Sequence, residues 1–350
     1  MITTIVKIED GDVLETKLKD PAEIIKNGGL VAFPTETVYG LGASALNEDA
    51  ARNIYLAKGR PSDNPLIIHI SKPEEAEKYC YTNEIFYILA EKYMPGPLTV
   101  IMKKKKIIPY SITGGLDTVA VRCPSNKIAN KLIEMSGVPI AAPSANTSGK
   151  PSPTKAEHVI NDMNGKIDCI IDGGDCEIGL ESTIIKIEND TCTLLRPGGI
   201  TVRQLKEVFT DIKIDKAVLS KLNENERPQA PGMKYRHYAP NAQIYLIIRK
   251  NENGFDEKLI DYLNEKAQKP GTGIIIPCDL KNGINCENIY EFGSSNDENE
   301  QAKQLYDILR TVDKSELKVV YAVINDKDDD LGLAIYNRML KASGYNIIDL

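Results

Sequence analysis

LVAFPTETVYGLGASALNEDAARNIYLAKGRPSDNPLIIHI, residues 30–70, reads as strand, turn, helix, loop and strand. LVAF (30–33) and PLIIHI (65–70) are short β-rich apolar runs, and 47–58 carries a helical pattern between them. The rhythm continues outward. LTVIM (98–102), TVAVRC (118–123), VPIAAP (138–143), DCIIDGG (168–174), STIIKI (182–187) and TCTLLR (191–196) read as further strands. Residues 84–94, with Ile85, Ile88 and Leu89 on one face, and 126–136, ended by Gly137 in a C-cap role, read as helices. The expectation is a large mixed α/β domain over 1–211.

The pattern breaks over 212–241. NENERPQAPGMKYRHYAPNA (223–242) is polar, carries three prolines and has no period, as a linker does. Met233, Tyr235, His237 and Tyr238 are unusual in a passive tether, and a loop of this composition suits the cover of a site. A second α/β pattern occupies 242–350, with strands at 244–248, 272–277, 288–292 and 319–324 and helices at 255–268, 296–313 and 331–343. Strands alternating with helices of that length imply a parallel sheet.

A chain of 350 residues, 42% hydrophobic and 27% charged, accommodates two globular domains. Its formal charge of -7 argues against a protein that holds nucleic acid over its whole surface, while leaving room for a local basic site for a small anion such as ATP. The seven cysteines include no C-x2-C pair, and an odd count argues against a disulfide framework and for a reducing compartment. MITTIVKIEDGD lacks the apolar core of a signal peptide, and no window approaches a membrane span of about 18 apolar residues. The expected location is cytoplasmic.

Four clusters carry chemistry. FPTETVYGLG (33–42) follows a strand and offers Thr35, Thr37 and Tyr39 to a small polar ligand; composition alone fits an ordinary Pro-Gly turn equally well. Lys58 and Arg60 sit two apart at a helix end, with Ser62 and Asn64 nearby, a set that suits a polyphosphate or a solvated helix terminus. His69, alone in its strand, has the plainer reading of a half-buried structural residue. APSANTSGKPSPT (142–154) is a strand-end loop of short donors, including Ser144, Asn146 and Ser152, able to cradle phosphate in a chain that has no Walker A motif. LESTII (180–185) and LLRPGGI (194–200) contribute Ser182, Thr183 and Arg196, and Arg122 ends the run TVAVRC. Three strand ends thus deliver Arg122, Ser144 and Arg196, the places where ligands of α/β sheets gather. The run KKKK (103–106) reads as a solvated turn between strands.

PTETVYGLG, Lys58-x-Arg60, HI (69–70), PGPLT (95–99), VAVRCP, APSAN with the following SG, ESTI and LRPG resemble, in order, the YrdC/Sua5 family of threonylcarbamoyl-AMP synthases across about residues 17–210. PGMKYRHYAP (231–240) and LGLAIYNRMLKAS (331–343) resemble its longer Sua5 branch. The resemblance implies a twisted open α/β sheet with a large concave cavity, followed by a smaller Rossmann-like C-terminal domain. It implies condensation of ATP, L-threonine and bicarbonate or CO2 into threonylcarbamoyl-AMP, the donor for N6-threonylcarbamoyladenosine at position 37 of tRNAs reading ANN codons. It places Thr37, His69, Arg122, Ala142 and Ser182 around threonine. It places Arg60, Asn64, Thr118, Ser144, Ser152, Arg196, Tyr235 and His237 around ATP, with Lys58 and Arg60 at the reacting phosphates. Magnesium is expected with ATP, with no motif for its protein ligands. A tRNA threonylcarbamoyl transferase complex is the expected downstream partner, and neither a membrane nor stable tRNA binding is required. An RNA-binding module with a basic cavity is the alternative, and the net charge counts against it. A carbamoyl-transfer enzyme of the hydrogenase-maturation type is disfavoured by the missing C-x2-C pairs.

Overall fold

A computed structural model describes residues 1–350 except 189–190, 223–225, 227, 234–237 and 328–329. The described strands form two sheets. The larger has 11 strands, in the spatial order Thr4–Lys7, Cys169–Asp172, Val31–Phe33, Gly40–Ser44, Ile140–Ala142, Ile67–His69, Thr118–Arg122, Leu98–Lys103, Thr183–Glu188, Thr191–Arg196, Ile212–Ile214. It is mixed: Ile67–His69 runs parallel to Thr118–Arg122 and antiparallel to Ile140–Ala142.

Both faces of the central strands are buried, which explains why these strands read as continuous apolar runs. Ala32 and Ala141 point into one core, their neighbours Val31, Phe33, Ile140 and Ala142 into another. The helices Glu48–Lys58 and Glu84–Tyr93 close the first core with Ile54, Phe86 and Leu89, and Lys127–Ser136 closes the second with Leu132 and Ile133. A third cluster joins Ile67, Ala120 and Ile184 of the sheet to Leu222, Ala230 and Met233, so the connecting segment itself covers part of the sheet.

The smaller sheet has 5 strands, ordered Ile289–Glu291, Thr272–Ile276, Val319–Asn325, Gln243–Arg249, Ile347–Ile348, all parallel as the alternation implied. Phe255–Ala267 packs on one face of it. Glu298–Asp313 and Leu331–Ala342 pack on the other, and their core also takes in Val38, Leu180 and Tyr238. The two units are therefore joined through apolar packing as well as through the chain.

Four strands were not anticipated: Thr4–Lys7, Gly40–Ser44, Ile212–Ile214 and Ile347–Ile348. Gly40–Ser44 hides because glycine is a poor strand former in isolation. Here Phe33 of the neighbouring strand needs the space: a Cβ at Gly42 would lie 2.6 Å from Phe33 Cε1 and 2.7 Å from Ile140 Cγ2. Ile212–Ile214 pairs with Thr191–Arg196, so the first residues of the expected linker belong to the large sheet. Among the described residues no helix is long and apolar enough to cross a membrane, and the seven cysteines are all unpaired thiols.

Candidate active site

The helix Glu48–Lys58 begins at Asn47, whose side chain accepts from the backbone N–H groups of Asp49 and Ala50, and ends at Gly59, in the left-handed conformation at φ 63°. That cap sets Lys58 on the last turn with its side chain buried. Lys58 Nζ donates to Ser144 O at 2.6 Å and to Asn146 through its carbonyl and, at 3.4 Å, its side-chain oxygen. Burial, and then the charge of Arg60, push the Lys58 ammonium well below its ordinary pKa. Arg60, past the cap, donates to Pro65 O at 3.1 Å.

The loop that Lys58 holds is the Ser-rich stretch after Ile140–Ala142. Ser144 Oγ donates to Asn146 Oδ1 at 2.5 Å, and Asn146 Nδ2 donates to Thr147 O and Lys150 O at 2.8 and 2.9 Å. Ser148 N closes the circuit on Lys58 O at 2.9 Å. This stretch is an internally bonded cradle, more ordered than a Ser/Pro loop read from composition.

Arg122, at the end of its strand, is buried with Nη2 ion-paired at 2.8 Å to Glu36 Oε1, while its Nε makes no hydrogen bond. A buried donor without an acceptor is costly, and an incoming carboxylate would satisfy it. His69, on the adjacent strand in register with Arg122, has Nδ1 3.3 Å from Ile140 O. Burial, reinforced by Arg122, lowers its pKa to about 3, so it is neutral at physiological pH. Ser182 Oγ shares a hydrogen bond with Thr99 Oγ1 at 2.7 Å, and Arg196 donates through Nε to Ser182 O and through Nη2 to Ser182 Oγ at 3.0 and 3.1 Å.

These groups line one cavity. Of the residues that the resemblance places at the site, Lys58, Arg60, His69, Arg122, Ala142, Ser144, Ser152, Ser182 and Arg196 form its wall. Three do not. Thr37 is fully buried, its hydroxyl 2.8 Å from that of Thr35, which does line the cavity. Asn64 is buried beside Arg60 and Tyr55, with Oδ1 unbonded. Thr118 begins the strand that Arg122 ends, which places it about 13 Å away along an extended chain. Tyr235 and His237 lie outside the described residues.

Sequence reading passed over two contributors, both glutamates. Glu181, the first residue of ESTI, lines the cavity with its carboxylate bonded to Ser152 Oγ at 2.6 Å. Glu36 pairs with Arg122. Pro231 and Gly232, with Tyr238, bring the connecting segment to the cavity's edge. The aromatic content of that segment was its signal; the two glutamates sit inside motifs whose hydroxyls look like the chemistry.

A protein-family model for Sua5, YciO and YrdC proteins, described as telomere recombination, matches residues 23–198. A second, described as the C-terminal domain of threonylcarbamoyl-AMP synthase, matches residues 200–344. A threonylcarbamoyl-AMP synthase of Pyrococcus abyssi is 45% identical over 351 residues, 99% of each chain. The chain belongs to the threonylcarbamoyl-AMP synthase family. A Bacillus subtilis threonylcarbamoyl-AMP synthase is 42% identical over 95% of each chain. The crystal structure of P. abyssi Sua5 complexed with L-threonine superposes over 100% of both chains with a TM-score of 0.91 at 43% identity. The threonylcarbamoyl-AMP synthase family thus accounts for both units, in the long form of the family.

Proposed function

We propose that this enzyme condenses ATP, L-threonine and bicarbonate or CO2 into threonylcarbamoyl-AMP and pyrophosphate in the cavity described above. The observation that carries this reading is Arg122: a buried guanidinium ion-paired with Glu36 through Nη2 and with no hydrogen-bond partner at Nε, on the wall that also holds Lys58, Arg60 and Arg196. One cation suits the threonine carboxylate and the others suit a triphosphate.

The threonine amine adds to CO2 and loses a proton, giving an N-carboxylate. A carboxylate oxygen then attacks the α-phosphorus, and the bond from phosphorus to the β-phosphate bridging oxygen breaks as pyrophosphate leaves. Carboxylate attack calls for no strong protein nucleophile; positioning and stabilisation of negative charge suffice. That matches a cavity rich in arginine, lysine and hydroxyls. Arg122 with His69, Ala142 and Ser182 would hold threonine, a neutral His69 leaving the cationic role to Arg122. Arg60, Ser144, Ser152 and Arg196 would hold ATP. Lys58, with its ammonium engaged by Ser144 and Asn146, would act chiefly by fixing the phosphate cradle. The segment 231–240, with Tyr235 and His237, would close over the nucleotide.

Magnesium would arrive with ATP as part of the substrate. Among the described residues no three His, Cys, Asp or Glu side chains cluster as a metal cage, and Glu181 on the wall is already engaged by Ser152. Phosphate oxygens and water would supply most of its shell. The product would pass to a tRNA threonylcarbamoyl transferase complex for modification of tRNA, and a cytoplasmic setting accords with seven unpaired thiols.

The test is mass detection of threonylcarbamoyl-AMP and pyrophosphate from ATP, bicarbonate and threonine, with valine and serine as competitors. A pocket that pairs the threonine hydroxyl rejects valine strongly, while serine lacks one methyl group, worth only about 1 kcal/mol. Equal turnover of valine and threonine would refute the pocket assignment, and absence of the adenylate would refute the function.

A further inference from the structure

Glu181 is a buried carboxylate between the cavity and the helices of the C-terminal unit. It accepts from Ser152 Oγ at 2.6 Å, from Tyr306 OH at 2.7 Å and from Arg338 Nε at 2.8 Å. The first donor lines the cavity; the other two stand on Glu298–Asp313 and Leu331–Ala342. Burial alone would raise the Glu181 carboxyl, but Arg338 and Arg196, with the two hydroxyls, hold it down at about 2.

The same two helices also reach the loop that carries Ser152 and the connecting segment at the cavity's edge. Arg310, one turn after Tyr306, donates to Pro151 O at 2.6 Å and pairs at 3.0 Å with Asp162, which accepts from Thr147 N. Lys341, one turn after Arg338, donates to Gly232 O at 2.6 Å. Arg338 lies 5.7 Å over the ring of Tyr238, whose ring centre is 5.2 Å from that of Tyr306. Burying such charges costs desolvation that apolar packing would avoid. Their ends converge on Glu181 and Gly232 of the wall and on Pro151 beside Ser152, which a docking surface alone does not require.

Ionised Glu181 is acceptor-only, so Ser152 spends its single O–H on it. Towards the cavity the Ser152 oxygen then offers lone pairs. It repels a phosphate oxygen and welcomes an O–H or N–H.

We propose that Glu181 is a positioning residue, held by Tyr306 and Arg338 of the C-terminal unit, which turns Ser152 into a hydrogen-bond acceptor for a hydroxyl or amino group of the nucleoside part of ATP. This rests on the assignment of the cavity to ATP. The C-terminal unit is by this account a structural part of nucleotide recognition, although it places no side chain of its own on the cavity wall among the described residues.

The experiment compares the ATP and threonine KM values of wild type, Tyr306→Phe, Ser152→Ala and the double variant. Tyr306→Phe removes one O–H and keeps the ring and the Glu181–Arg338 pair. It should raise the ATP KM roughly three- to tenfold, leave the threonine KM and the melting temperature near wild type, and have no further effect in the Ser152→Ala background. Among 2′-deoxy-ATP, 3′-deoxy-ATP and inosine triphosphate, one should lose affinity against wild type and lose nothing against Ser152→Ala, identifying the donor. The proposal is overturned if Tyr306→Phe changes only the melting temperature. It is equally overturned if its ATP effect is the same in both backgrounds, or if all three analogues behave as ATP does. An unchanged ATP KM in Ser152→Ala would overturn the placement of ATP on this loop, and the proposal with it.

Discussion

Arg122 and Glu36 are 5% and 3% exposed and 2.8 Å apart, and the arginine Nε has no hydrogen-bond partner. Removing one member of a buried pair leaves the other charged and alone, at about 3–5 kcal/mol. Arg122→Ala should therefore do two separable things: lower the melting temperature, and raise the threonine KM by about one to two decades for a lost charge-assisted contact. Adding Glu36→Gln should recover the stability and leave the threonine defect in place. Recovery of both, or a defect confined to ATP, would show that Arg122 is structural or misassigned. His69 offers a second residue-scale test, in pH. Its folded pKa, lowered by burial to about 3, lies below the unfolded value near 6.5. Between these values the unfolded chain binds more protons than the folded one, so stability rises with pH across the window and is lost as the solution is acidified. From pH 7 to 4.5 this one group should account for about 2–3 kcal/mol of lost stability. Denaturant titrations of wild type and His69→Gln at the two pH values measure it; equally steep acid losses would place the sensitivity elsewhere.

At the scale of elements, the site depends on glycines that let two backbones touch. A Cβ on Gly198 would clash with Glu181 O and Thr183 N, so LRPGG lies directly against the segment carrying Ser182. Gly137 is different: it caps the Lys127–Ser136 helix at φ 66°, and a Cβ added there would meet nothing within 4 Å. Gly137→Ala should cost about 1 kcal/mol of conformational strain and leave activity intact. Gly198→Ala, overpacked against backbone that cannot rotate away, should cost about 3 kcal/mol and impair use of both substrates. Denaturant midpoints with steady-state rates distinguish the two, and near-equal, purely conformational losses would argue against the close contact. The same contrast explains what could be read in advance. Apolar runs such as LTVIM and TVAVRC announce themselves as strands. GLGAS does not, since its glycines make sense only with Phe33 lying across them.

For the whole molecule, the decisive feature is how closely the two units dock. Gly179, at φ 80°, lies so near the helix Glu298–Asp313 that a Cβ there would be 2.5 Å from Lys303 Cα and 2.7 Å from Ala302 O. Lys155 and His158 of the first unit both reach Asp307 on the same helix, at 2.8 and 3.0 Å. Each unit has its own sheet and core, so undocking need not unfold either. Gly179→Ala should wedge the units apart, split thermal unfolding into two transitions, and raise the ATP KM well before it destroys secondary structure. One cooperative transition with wild-type kinetics would mean that the interface tolerates the wedge and that the C-terminal unit is not needed at the cavity.

By itself, the sequence determined the class of both units, most of their strands and helices, and the motifs that cluster at strand ends. These follow from local periodicity, capping and composition, which act over a few neighbouring residues. Seven of the cavity residues, Lys58, Arg60, Arg122, Ser144, Ser152, Ser182 and Arg196, stood out the same way, as polar groups at helix and strand ends, whereas His69 and Ala142 came to the site only through the family resemblance. Tertiary structure alone decided the rest. That Lys58 spends its ammonium on a loop 86 residues away, that Arg122 meets Glu36, and that Glu181, bonded to Ser152, meets Tyr306 from 125 residues further along the chain are facts of chain packing. A carboxylate in a strand-end motif has many partners available to it in sequence; burial, which makes an unpaired charge prohibitive, is what selects one.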